Sequence, residues 1–196
     1  MTKTLSPCPG CRPVHGSACD DHGVNTPDWW EDTDLALAVA EVEEFAATAG
    51  WDAPPQMFAL AVTADLVTAQ PTLAPSLGQA ARYTPIAQEP LPDGELSEAL
   101  AQICWPSEVV GCVLVQEIVV LPPEATAVLS DDPVTAAAQA AAHPERAEAR
   151  LTAGVLREDV GGACLLRLRG EHDDAPLRGA DLAPNLLQAL RLTFQD

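Results

Sequence analysis

Residues 149–169 read ARLTAGVLREDVGGACLLRLR, and this stretch decides the architecture. Two apolar runs, 149–157 and 163–169, flank the connector EDVGG, a glycine-containing turn that reverses the chain between neighbouring strands. In the second run Cys164, Leu166 and Leu168 alternate with Leu165, Arg167 and Arg169. A period of two predicts one face against a core and the arginines turned to water. Adjacent strands this close in sequence are antiparallel. No regular strand–helix–strand alternation surrounds them, so the pattern selects an α+β fold over a doubly wound one.

Working outward, residues 109–121 (VVGCVLVQEIVVL) are apolar on both alternating faces except at Gln116 and Glu117. That is the pattern of a central strand buried on both sides, or buried on one side and covered by a partner on the other. Residues 57–63 form a further short strand, and the proline-punctuated 83–92 is extended. Helices are expected at 35–49, 64–70, 74–81, 96–103 and 133–142. The first carries Leu35, Val39, Val42 and Ala46 at helical spacing, with Glu41, Glu43 and Glu44 largely off the stripe and Thr33 or Asp34 as its cap. A last helix capped by Asp181 carries Leu182, Leu186, Leu190 and Phe194. The expected whole is an antiparallel or mixed sheet of about four strands packed against several helices.

Before residue 34 the composition changes. Residues 1–33 hold Cys8, Cys11, Cys19, His15 and His22 among prolines and glycines, with almost no aliphatic side chains. They are expected to be an irregular tail, either disordered or a small metal-binding module, ahead of a single α+β domain over 34–196. Tetrahedral zinc takes four thiolate or imidazole ligands, commonly as two chelating pairs. The spacing Cys8-x2-Cys11-x7-Cys19-x2-His22 supplies two such pairs, with His15 as an alternative ligand. Zinc at this tail is the one cofactor the sequence suggests. Read as a redox pair instead, Cys8 and Cys11 lack the helix start that lowers a thiol pKa.

The charge balance excludes whole classes of function. Ten basic side chains oppose 29 acidic ones, a net charge of −19. Nucleic-acid binding and attachment to anionic lipid both need clustered Lys and Arg, so neither is expected. The amino terminus has no secretory pattern, and the longest apolar run is too short to span a bilayer. The reading is therefore cytoplasmic, with reduced thiols. Cys104, Cys112 and Cys164 lie in apolar patterns and read as small core residues. The acidic cluster Glu171, Asp173 and Asp174 with His172 lacks the register of a calcium loop. Phosphate loops, nucleophile elbows and HExxH are absent. No catalytic residue and no cofactor-binding residue beyond the zinc set is assigned. Trp29 and Trp30 stand just before the first helix, as a staple for the tail or a docking patch.

From about residue 34 onward the chain resembles a family of uncharacterised actinobacterial proteins. The resemblance rests on GWDAPPQMFALAVTADL (50–66), PIAQEPLP (85–92), WPSEVVGCVLVQEIVVLPPEA (105–125), AAHPERAEARLTAGVLR (141–157) and CLLRLR (164–169). It implies no activity, catalytic residue, cofactor or partner, and it does not extend to the Cys/His tail. The leading functional reading is an acidic, non-enzymatic interaction or structural module acting through an unknown protein partner or as a homodimer. The alternatives are a zinc-binding protein and an enzyme with an unrecognised site.

Overall fold

The computed structural model describes residues 32–77, 81–92, 94–159, 161–170 and 175–195. Helix α1 (Thr33–Ala49) buries Leu35, Ala36, Ala38, Val39 and Val42 on one face. Its cap is Asp32, one residue before the expected Thr33 or Asp34. The Asp32 carboxylate accepts the amides of Asp34 and Leu35 at 2.8 and 3.0 Å. Gly50 ends the helix at a φ of 86°, a conformation a side chain would resist.

The strands are β1 (Gln56–Val62), β2 (Tyr83–Ala87), β3 (Val109–Val120), β4 (Ala147–Leu156), β5 (Ala163–Leu168) and β6 (Leu177–Arg178). They form one sheet in the order β2-β1-β3-β4-β5-β6. Every neighbouring pair is antiparallel. The α+β class stands, but the described sheet has six strands where about four were expected. The extended segment at 83–92 supplies an edge strand, and two residues of the polar loop after β5 supply the opposite edge.

Alternation along the strands divides the interior into two layers. Val113 and Val115 on β3, Leu156 on β4 and Leu165 on β5 pack with Phe58 and Leu60 beneath α1. Cys112, Leu114, Leu151, Ala153, Val155, Cys164 and Leu166 face the other way. They pack against Leu100 of α3 (Leu96–Leu100) and Leu187 and Leu190 of α6 (Pro184–Leu192). Residues 111–115 of β3 are thus buried on both faces by helices of the same chain, whereas 116–120 are only partly covered and Val119 is 41% exposed. Gly154 lets α1 lie this close: a Cβ there would meet Val39 Cγ2 at 2.6 Å.

Other elements depart locally from expectation. Helix α2 (Thr63–Ala69) is followed by a 3-10 turn, Pro71–Leu73, and by turns through residue 77 where a helix was expected to begin at 74; residues 78–80 of that expected helix lie outside the described residues. Prolines 71 and 75 restrict this stretch. The helix expected at 96–103 stops at Leu100. A short helix α4 (Pro123–Thr126) follows β3, and α5 (Pro133–Ala142) matches its expected bounds. Asp181 does not cap the last helix. It sits in a 3-10 turn, Ala180–Leu182, and Ala183 precedes α6 without a capping side-chain bond. Among the described residues no helix is long and apolar enough to cross a membrane.

Candidate functional site

An antiparallel sheet brings alternate strand ends to one edge. Here the end of β1, the start of β2, the start of β3 and the end of β4 meet beside the start of α1. They enclose an open cavity of about 460 Å³. Val62, Val110 and Leu156 give it apolar walls, while Asp32, Arg82, Tyr83, Ser107, Arg157, Glu158 and Asp159 line the rest.

Most of the charged groups are already engaged. Asp32 caps α1, and the Asp159 carboxylate accepts the Gly161 amide at 3.0 Å. Arg157 closes the rim by donating to the carbonyls of Val109, Trp105 and Pro106 at 3.0, 3.2 and 2.7 Å. Arg82 lies 3.6 Å from the Asp34 carboxylate, with its guanidinium carbon 5.3 Å from the Tyr83 ring centre.

Tyr83 stands apart. The residue is only 5% exposed, it lines the cavity, and among the described residues its hydroxyl has no hydrogen-bond partner. Burial raises its pKa, and the carboxylates of Asp32, Asp34 and Asp159 raise it further against the opposing pull of Arg82. The phenol is therefore neutral at physiological pH and available both to donate and to accept.

A second polar cluster lies under the far end of α1. Glu43 is buried and takes Arg167 in a bidentate pair, at 2.8 and 3.1 Å, with Arg150 3.7 Å away. Arg150 also donates to the Gly50 carbonyl and lies over the Trp51 ring, 4.5 Å from its centre. Arg169 reaches the same ring at 5.4 Å and binds Asp52 and Glu148 at 2.8 Å each. Two expectations are corrected here. Arg167 does not look out to water but pairs with Glu43 beneath α1, whereas Arg169 is exposed as expected, and Glu43, expected largely off the apolar stripe, is buried. This cluster clamps the end of α1 to β4 and β5.

The thiols do not join either cluster. Cys112 and Cys164 are fully buried, and burial pushes both thiols up to about 12, so they are not nucleophiles near neutrality. Cys104 is exposed. His143 follows α5, where its Nδ1 accepts the Glu145 amide at 3.2 Å. Among the described residues no group of three His, Cys, Asp or Glu side chains is placed to hold a metal ion. The sequence-derived ligands Cys8, Cys11, Cys19, His22 and the alternative His15 lie outside the described residues, as do Trp29, Trp30 and the cluster at 171–174.

Sequence reasoning missed the cavity because its lining comes from five separate segments with no motif. The one available signal was Tyr83, the single tyrosine of the chain, set at the start of the extended segment.

The model of the PPA1309-like protein family matches residues 35–195. No curated protein and no solved structure matches the chain.

Proposed function

The chain belongs to the PPA1309-like protein family, an uncharacterised family, and from that premise we propose that it is an acidic, cytoplasmic, non-enzymatic interaction module. In this reading residues 34–196 are one α+β domain, and the partner is a protein that binds at the open end of the sheet. The observation that carries the reading is the composition of the cavity there. Asp32, Arg82, Arg157 and Asp159 are each held by a cap, a turn, a rim carbonyl or a neighbouring charge, and a neutral phenol between apolar walls is left to meet a ligand. Such a lining suits recognition, because acid–base or nucleophilic chemistry needs a hydrogen-bonded pair of titratable groups, and Tyr83 has no such partner among the described residues.

Capture from native lysate tests it, using the full chain and a Ser107→Trp variant. Ser107 is exposed on the cavity rim, so the indole obstructs the opening without entering the core. A protein retained by the parent chain and lost with the variant is the expected result. No retained protein, or equal retention by both, refutes the reading. Light scattering addresses the homodimer form: self-association through this face gives twice the 20.6 kDa chain mass for the parent and the single mass for the variant.

A zinc-binding tail is the second reading, carried by the spacing of Cys8, Cys11, Cys19 and His22. Zinc bound by these side chains would order a segment that has few apolar residues for a core of its own. Purification without chelator is expected to yield about one zinc per chain, and a stoichiometry near zero ends this reading.

A further inference from the structure

We propose that the cavity at the end of the sheet receives a basic side chain, arginine or lysine, presented by the protein partner. The inference rests on the interaction-module reading and names the chemistry that would be recognised.

The sign of the site comes first. Asp32, Glu158 and Asp159 set three carboxylates around the opening, against the guanidiniums of Arg82 and Arg157, and Asp34 lies 3.6 Å from Arg82 outside the lining. Arg157 commits its Nε and Nη2 to three backbone carbonyls on the rim. Arg82 is shared between Asp34 and the face of Tyr83. An anionic ligand would meet an excess of like charge. A cation would be attracted, because partly enclosed charges are less screened than those in open water.

The shape agrees with the sign. Val62, Val110 and Leu156 offer apolar walls to the aliphatic stem of Arg or Lys, whose charged head stays at the polar rim. Tyr83 as a residue is 5% exposed and lines the cavity, and its hydroxyl, with no hydrogen-bond partner among the described residues, is open to that space as an oxygen acceptor. Each carboxylate oxygen pair has about four acceptor positions, so Asp32 and Asp159 keep capacity beyond the backbone amides they already bind. Arg82 shows the mode in miniature, with a guanidinium over the Tyr83 ring beside a carboxylate.

The chain carries a single tyrosine, which gives the test a direct reporter. The full-length protein, labelled in tyrosine and in valine and leucine methyls, is titrated with N-acetyl-arginine amide, N-acetyl-lysine amide and the neutral isostere N-acetyl-citrulline amide. Saturable shifts of Tyr83, Val62, Val110 and Leu156 are expected with one or both cations, at an affinity about tenfold or more above citrulline. Comparing the two cations tells arginine from lysine. Tyr83→Phe is expected to weaken cation binding several-fold, and Asp159→Asn to do the same.

Equal affinity for citrulline, shifts spread evenly over the surface, or no saturable shift from either cation would each overturn the proposal. These outcomes leave the module reading intact if Ser107→Trp still abolishes capture. A capture experiment without any retained protein sinks that reading whatever the small probes do.

Discussion

Replacing Glu43 by Gln tests the clamp between α1 and the sheet with almost no change of shape. The carboxylate is 2% exposed and faces Arg150, whose side chain is 3% exposed, and Arg167, at 22%. The isosteric amide leaves the cavity term near zero, so the electrostatic loss stands alone. Arg150 keeps the Gly50 carbonyl and the Trp51 ring, but its buried charge loses its counterion. Removing one partner of a buried pair in this way costs about 3 to 5 kcal/mol, because the remaining charge is desolvated and unbalanced. For a chain of this size the melting midpoint falls by roughly 6 to 20 °C. Urea denaturation, with the slope of the transition checked for constancy, measures the loss directly. The second arm is Glu43→Gln combined with Arg150→Met. Deleting the stranded cation as well is expected to recover a substantial part of the stability, since an apolar side chain costs nothing to bury. A Glu43→Gln variant within about 0.5 kcal/mol of the parent would show surface-like behaviour and refute the reasoning. A double variant no more stable than the single one would place the loss elsewhere than in the stranded arginine.

Gly111→Ala is expected to destabilise more than Gly154→Ala. The new Cβ at 111 would lie 2.6 Å from the Val155 carbonyl oxygen, which the sheet fixes, whereas at 154 it meets the movable Val39 methyl at the same distance. Overpacking of this kind costs about 1 to 3 kcal/mol, and paired urea transitions would read the order. Cys112 and Cys164 keep their protons up to about pH 12 in the folded chain, while an unfolded thiol ionises near its ordinary value of 9.0. Their contribution to stability is therefore complete below about pH 9 and lost as pH rises toward 12, at a slope of about 1.4 kcal/mol per pH unit for each thiol. Alkaline denaturation of the parent against a Cys112→Ala and Cys164→Ala variant would show a shallower slope in the variant if this is right. Asp32→Ala removes the α1 cap and is expected to cost about 1 kcal/mol. It should also weaken cation binding at the cavity, readable in the same tyrosine titration.

The layers of the fold were legible because they follow from periodicity. The double-sided alternation at 109–121 and the hairpin at 149–169 are local patterns, and each appears in the sheet where expected. The edges were not legible. β6 is two residues long, too short for any period, and exists only because β5 offers Leu165 and Leu166 as partners. β2 pairs fully with β1 although Pro85 lies within it. The register explains how. Thr63 donates to the Arg82 carbonyl and Gln88 to the Met57 carbonyl, so the alternate residues Tyr83, Pro85 and Ala87 turn their backbone outward. A proline at an outward position loses no ladder bond. It also denies an incoming strand the amide it would need, which keeps this edge from pairing with another chain.

The polar residues were harder to read, for a reason that Glu43 and Arg167 share. Helical and strand periods assign a side chain to a face, and solvent was assumed on any face that carried charge. Glu43 lies next to the Val39 and Val42 stripe, and Arg167 and Arg150 share the α1-facing side of β5 and β4 with Leu165 and Leu156. Each was polar on its own line of sequence, and only their meeting across 124 positions makes burial affordable. The cavity obeys the same logic in reverse. Asp32, Tyr83 and Asp159 are unremarkable singly, and their chemistry arises because the fold brings three distant segments to one edge. Local pattern therefore predicts what a sheet buries, whereas what it gathers at its ends depends on connectivity. The binding function proposed for this chain therefore rests on the cavity, with Tyr83 as its reporter.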